Sequence, residues 1–272
     1  MTGPQASSAP AGAHELGKSS WNGTKRPGGA TIAVSVGLIV AMWALNFIAA
    51  KIGLRHLEPL AMATFRVVLA GVVMVPAYFV SRRLPGFTQP GLPSQRFSAR
   101  NLWVFAYLGF FGVVTNQICF TMGLRYTSVG HSAVIVGMGP VYILVLACLM
   151  RLERFTLRKA AGMAIAFAGV VLLATESNMG THSPTLLGDL ITMSGSVGFS
   201  LYAVLGKRVA SEFDTLTMTA FNHFAGAALV LPVAAYEGWK IGAAANCASI
   251  GWESWTATAN MAVFGSAAAY LL

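Results

Sequence analysis

Charge is what this sequence has least of: 10% of its 272 residues are Asp, Glu, Lys or Arg, against roughly 25% in a soluble domain. With 56% of the residues apolar, a soluble fold of this length could not cover its surface with polar groups. No Asp or Glu falls in the middle of an apolar stretch, so a proton relay of intramembrane carboxylates is not visible. Cysteine is nearly absent. Cys119, Cys148 and Cys247 are scattered, with no CxxC pair and no Cys/His cluster, which implies neither zinc nor a disulfide framework and leaves small buried apolar residues. There is no P-loop, which argues against ATP-driven pumping by this chain. There is no HExxH or acidic metal motif either, so metal-dependent protease or transferase chemistry lacks its residues. No metal and no cofactor is implied, and the chain does not read as an enzyme.

What is present is apolar length. Stretches of about twenty residues, each able to cross a bilayer as a helix, cover about 31–52, 57–80, 101–123, 128–150, 158–175, 187–206, 215–236 and 253–272. The expected fold is all-α: a polytopic membrane helical bundle of about eight spans, with the lipid bilayer as its first partner. A net charge of +9 would suggest nucleic acid in a soluble protein. Here it follows from cationic joints on one side of a membrane, and no nucleic-acid partner is expected.

Residues 1–28, rich in Gly, Ala, Ser and Pro, read as a disordered cytoplasmic tail. The first apolar stretch is too long for a signal-peptide core and leads into further spans, so no cleaved leader is expected. Lys and Arg orient the bundle. Lys18, Lys25, Arg26, Arg82, Arg83, Arg96, Arg100, Arg151, Arg154, Arg158, Lys159, Lys207 and Arg208 fall on one side, and Lys51, Arg55, Arg125 and Lys240 on the other. The rule that cytoplasmic joints carry the excess of positive charge places the amino terminus in the cytoplasm, for a multi-pass protein of the cell inner membrane. The 176–186 joint, without Lys or Arg, faces the exterior.

A repeat sets the architecture. Shifted by 156 residues, Leu45 meets Leu201, Lys51 meets Lys207, Leu60 meets Leu216, Met62 meets Met218, Phe65 meets Phe221 and Pro76 meets Pro232 without a gap. The register continues to Ala106 with Ala262 and Gly109 with Gly265. Five helices separate the copies, and an odd number inverts the second copy. The expected organisation is a first repeat over 29–176 and an incomplete second repeat over 187–272. Inverted repeats are characteristic of secondary transporters, which hold substrate near the midplane between the copies.

Arg66 is the most informative single residue. At 1.5 Å rise it lies about 13 Å into the second span, where an Arg faces the bundle interior and a partner. It either attracts the anionic group of a substrate or binds carbonyls and locks the bundle. Trp43 and Asn46 share a face of the first span. Asn116 and Gln117 are uncharged polar groups in the third, and Tyr142 follows Pro140 in the fourth. Tyr202 occupies the repeat position of Asn46, and Asn222 that of Arg66. This polar and aromatic set suits a cavity for a small amphiphilic solute, or else interhelical hydrogen bonds. Gly137, Gly139 and Pro140 interrupt the fourth span, either exposing backbone groups to substrate or kinking it. Gly162, Ala166 and Gly169 keep one side of the fifth span small for close packing. His131 and His223 read as isolated, and Glu153 with Arg154 as a solvated ion cluster beside Arg151.

Three motifs carry a family resemblance: MWALNFIAAKIGL at 42–54 with EPL at 58–60 and FR at 65–66; the block MGLRYTSVGHSAVIVGMGPVYILVLACLMRLERFTLRKAAGMAIAFAGVVLLAT at 122–175; and GDLITMSGSVGFSLYAVLGKRV at 188–209. In these the chain resembles the drug/metabolite transporter superfamily, in its EamA-like ten-helix branch. FGSAAAYLL at 264–272 looks like the middle of an eighth helix, so against ten helices the resemblance implies a truncated product or completion by another chain. The implied function is a secondary transporter or facilitator of small metabolites, an exporter of amino acids or related compounds among the options, working by alternating access between two inverted repeats. The alternatives are a membrane-embedded lipid-modifying enzyme and a non-transporting truncated scaffold. Self-association into a homo-oligomer is left open.

Overall fold

A computed structural model of the chain describes residues 29–83, 98–153, 155–175, 185–210, 212–243 and 250–267. The tail over 1–28, Arg96, Arg154, residues 176–184 of the uncharged joint, Cys247 and residues 268–272 lie outside the described residues. The chain divides into two compact units, Met1–Gly37 and Leu38–Leu272. Of the first, 29–37 are described and form the opening turns of a helix. The architecture below is that of the second.

Helices are the only regular structure among the described residues. α1 (Gly29–Gly53), α2 (Pro59–Arg83), α3 (Ala99–Gly109) and α4 (Asn116–Tyr126) are followed by α5 (Val129–Gly137) and α6 (Gly139–Leu149). Then come α7 (Leu157–Thr175), α8 (Leu186–Val209), α9 (Thr215–Ala243) and α10 (Trp252–Ala262). Among the described residues six helices are long and apolar enough to cross a membrane, the continuous stretches Arg100–Tyr126 and Val129–Leu149 included. α7, and α10 with the turn after it, take the places of the fifth and eighth expected spans. The protein is an all-α membrane bundle.

Local chemistry sets the helix starts. Glu58 precedes Pro59, a residue suited to the first helical position because it has no N–H to satisfy. Asp214 caps α9 with its side chain: Oδ2 accepts the Thr217 N–H at 3.1 Å and Oδ1 its hydroxyl at 2.6 Å. Glu58 and Asp214 are themselves related by the 156-residue shift. Ser128 caps α5 through His131 N–H at 3.1 Å, and Thr185 caps α8 through Gly188 N–H at 3.2 Å.

Three elements depart from the sequence expectation. The third span is not uniformly α-helical: Phe110–Thr115 winds as a π-helix between α3 and α4, and a second π segment, Val263–Ala267, follows α10. The fourth span is interrupted at Met138, between Gly137 and Gly139, where ψ is 0°, and Pro140 sits in the opening turn of α6. α9 ends at Ala243 instead of 236. That extension brings Glu237, 4% exposed, inside the helix, where Lys240 lies 3.2 Å from its carboxylate and 3.6 Å from that of Glu58.

Helices in lipid gain little from burying apolar groups against one another, so close van der Waals packing of small residues holds them. α2 packs most extensively on α9, and α4 on α8. Gly71 of α2 faces Ala227 of α9 so closely that a Cβ there would sit 2.6 Å from the Ala227 Cβ. Ala227 is its counterpart under the 156-residue shift, and a residue on a two-fold axis meets its own counterpart. Along α4 and α8, a Cβ at Gly123 would strike the Thr192 hydroxyl and one at Gly188 the backbone of Thr127. The two glycines expected to pack α7 closely have no neighbour at hand: a Cβ at Gly162 or Gly169 meets nothing within 4 Å among the described residues.

Candidate functional site

A cavity of about 290 Å³ lies among α1, α2, α4, α5, α6, α8 and the second π segment. Helical periodicity delivers its lining. Trp43, Asn46 and Phe47 come from one face of α1, and Asn116, Gln117 and Phe120 from one face of α4. Val136 closes α5, while Gly139, Pro140 and Ile143 come from the first turns of α6. Ser196 and Phe199 of α8, Gly265 and Arg66 complete it. The volume sits near the lower end of the roughly 300–1,000 Å³ of small-molecule sites.

Arg66 is 1% exposed. Its Nη2 donates to Asn46 Oδ1 at 3.2 Å and to the Ser266 hydroxyl at 3.4 Å. Gln117 Nε2 donates to the same hydroxyl at 3.4 Å, and Ser266 passes its own proton to the Met261 carbonyl at 3.3 Å. The wide turn of the second π segment lets the Ser266 hydroxyl reach a carbonyl five residues back. Side chains of α1 and the second π segment thus bond the Arg66 guanidinium, with Gln117 of α4 joined to it through Ser266, at the wall of a cavity whose described lining is otherwise neutral. Among the described lining residues there is no acid.

Of the residues singled out in the sequence, Trp43, Asn46, Arg66, Asn116, Gln117, Gly139 and Pro140 meet at this cavity. Tyr142, Tyr202, Asn222 and Gly137 are not among its lining residues. The Tyr142 hydroxyl turns back along its own helix to Met138 Sδ at 3.9 Å. Tyr202 packs behind the cavity wall, its ring 5.7 Å from that of Phe199 and pressed on Gly112 of the first π segment. Asn222 is 1% exposed in α9. Phe47, Phe120, Val136, Ile143, Ser196, Phe199, Gly265 and the supporting Ser266 escaped the sequence reading. Phe47 and Phe120 carried a usable signal, standing four residues past Trp43 and three past Gln117 on the same helix faces.

The two histidines are not isolated. His131 Nδ1 lies 3.1 Å from Asp189 Oδ2, and the other oxygen of Asp189 accepts the Thr127 hydroxyl at 2.5 Å. His223, 3% exposed, has its Nδ1 2.8 Å from the Thr219 carbonyl. Outside the spans, Glu153 joins Lys159 at 2.6 Å and Lys207 at 3.1 Å. Hydrogen bonds from both lysines, with their charges, hold its carboxyl below the ordinary glutamate value.

Comparison with known proteins agrees with this geometry. The EamA-like transporter family matches residues 31–175. An uncharacterized transporter of Archaeoglobus fulgidus is 28% identical over 187 residues, 69% of this chain and 61% of the relative's length. A probable terminal-alkyne amino-acid exporter of Streptantibioticus cattleyicolor is 25% identical over 248 residues, 86% of this chain and 79% of its own. The chain thus spans about three fifths of the length of the archaeal relative. A crystal structure 18% identical in sequence shares the fold with a TM-score of 0.57, over 89% of this chain and 77% of the other. The family match takes in α1 to α7 and every helix that lines the cavity except α8 and the second π segment, and the chain belongs to the EamA-like transporter family of multi-pass membrane proteins.

Proposed function

We propose that the cavity holds a small amphipathic metabolite with a carboxylate, an amino acid or a close relative, during passage across the inner membrane. The observation that carries this reading is Arg66, a fully buried cation at the wall of a cavity whose described lining is otherwise neutral. Its charge suits a carboxylate, while Trp43, Phe47, Phe120, Phe199 and Ile143 suit an apolar side chain. The transporter names of its relatives, one of them a probable amino-acid exporter, support transport over enzymatic chemistry. The excess of Lys and Arg in alternate joints supports a cytoplasmic amino terminus. The 156-residue correspondences support movement of two inverted repeats, 29–176 and 187–272, about the site, with residues 1–28 as a cytoplasmic tail.

The test is flux of radiolabelled phenylalanine, leucine and phenylacetate in proteoliposomes, with wild type and Arg66→Lys compared. The expected result is saturable wild-type flux that falls at least tenfold in Arg66→Lys while the melting temperature holds. A lysine keeps the charge but loses the planar fork that grips a carboxylate. Equal flux in the two proteins, or no saturable flux in wild type, would remove the reading. A fall in melting temperature with flux preserved per folded molecule would make Arg66 a structural lock instead.

A further inference from the structure

The contact of Asn46 with Gly265 has a counterpart elsewhere in the bundle. Asn46, in the first span, presses on Gly265 in the eighth, where an added Cβ would collide with its amide. Tyr202, its equivalent under the 156-residue shift, presses on Gly112 in the third span, three residues beyond Gly109, the equivalent of Gly265. Both glycines lie in π segments. Arg66 bonds Asn46 in the first half. In the second half Asn222 stands where Arg66 would be, with the Tyr202 hydroxyl near enough to act on it. Yet neither amide atom of Asn222 makes a hydrogen bond of ordinary geometry among the described residues.

An amide that is 1% exposed, with the Tyr202 hydroxyl beside it but neither polar atom in a hydrogen bond of ordinary geometry among the described residues, is unfavourable and calls for a reason. We infer that Tyr202 and Asn222 form a second polar station, which lines the cavity in the opposite-facing state and hydrogen-bonds the polar end of the same solute. This rests on the transport reading above. Alternating access moves one repeat against the other, and in the proposed cycle the halves exchange conformations, so each takes on the surroundings its partner had. In the present state the Asn46–Arg66 pair borders the cavity and the Tyr202–Asn222 pair is packed behind Phe199 and Gly112. After the exchange their positions are reversed. The station has an amide and a phenol but no charge. It therefore binds the solute's carboxylate more weakly than Arg66 does, as the releasing side of a transport cycle should.

Two measurements test the inference. Asn222→Leu is close to isosteric and removes the amide that stands beside Tyr202. The expected result is a melting temperature equal to or above wild type, with phenylalanine flux in proteoliposomes at least tenfold lower. Unchanged flux in folded Asn222→Leu overturns the inference. The second measurement uses a background in which Cys119, Cys148 and Cys247 are replaced by Ala, and does not depend on how that leucine variant folds. Asn222→Cys and, separately, Asn46→Cys are treated with a membrane-permeant methanethiosulfonate, with and without a phenylalanine gradient. Labelling of Asn222→Cys that rises severalfold under the gradient, while that of Asn46→Cys falls, supports the station. An Asn222→Cys thiol that never reacts, beside an Asn46→Cys thiol that does, overturns it and leaves the transport reading standing. If wild type shows no saturable flux and Asn46→Cys labelling ignores phenylalanine, the transport reading fails, and the station with it.

Discussion

Asp189, in the first turn of α8, accepts the hydroxyl proton of Thr127 at 2.5 Å, across the close approach of α4 and α8. Its second oxygen meets His131 of α5, so one carboxylate ties three helix ends together. With about a quarter of the Asp189 side chain exposed, the Coulomb part is screened and the hydrogen bonds dominate. Asp189→Ala is expected to lower stability by about 1.5–3 kcal/mol, the worth of hydrogen bonds to a charged group. The double variant Thr127→Ala, Asp189→Ala should cost little more than Asp189→Ala alone, because the two act through one bond. Fully additive losses in thermal unfolding would show that Thr127 contributes elsewhere.

The Glu153 cluster gives a pH dependence with a definite sign. Lys159 and Lys207 hold the folded-state carboxyl below its ordinary value. Its contribution is therefore complete above the unfolded value and is lost as pH falls through the depressed folded one. Melting temperature should decline on acidification through the carboxylate range, and Glu153→Gln should remove part of that decline. Added salt should weaken the contribution at neutral pH, since both ends of the pair from Lys207 are exposed to solvent. Identical acid profiles for Glu153→Gln and wild type would count against the cluster.

Glycines that look alike in the sequence should behave in opposite ways. Gly123→Ala would drive a methyl into the Thr192 hydroxyl and to 3.0 Å from the Gly188 carbonyl. Such overpacking costs about 1–3 kcal/mol and should open the α4–α8 seam. Gly162→Ala meets nothing within 4 Å and should leave stability unchanged or raise it by up to about 1 kcal/mol through helix propensity. Matched losses in the two variants would mean that α7 is packed as tightly as α8.

That pair also shows what the sequence could reveal. Apolar length announces a span whether or not its small residues touch a neighbour, so the helices were legible while the packing side of Gly162 and Gly169 was not. Faces were legible where polarity marked them: Trp43 with Asn46, and Asn116 with Gln117, each reached the cavity. Ser196 and Phe199 carried no such mark on α8, a helix that alternates small and apolar residues throughout. The π segments had no signature either, because an i to i−5 bond demands no particular residue. α9 outran its expected end because Glu237 and Lys240, three residues apart, neutralise each other and let the helix continue. Tyr202 and Asn222 were picked as counterparts of Asn46 and Arg66. A correspondence in sequence places residues at equivalent positions, but the cavity takes its lining unequally from the two repeats, Asn46 and Arg66 from the first and Ser196, Phe199 and Gly265 from the second.

Ser266 is where these features meet, and it supports the last prediction. Its hydroxyl accepts from Arg66 and Gln117, each at 3.4 Å, and donates to Met261 at 3.3 Å. These are long bonds, each worth no more than about 0.5–1.5 kcal/mol net, and Ser266 is 2% exposed and does not itself line the cavity. Ser266→Ala should therefore fold, with a melting temperature within a few degrees of wild type. What it removes is the hydroxyl that aligns the guanidinium with the Gln117 amide. The expected effect is a severalfold rise in KM for phenylalanine with maximal flux little changed, since binding is weakened without loss of the charge. Asn46→Ala removes the shorter 3.2 Å bond and a lining group together, so its KM should rise further. A Ser266→Ala protein with wild-type KM would mean that the Ser266 hydroxyl does not position the Arg66 guanidinium.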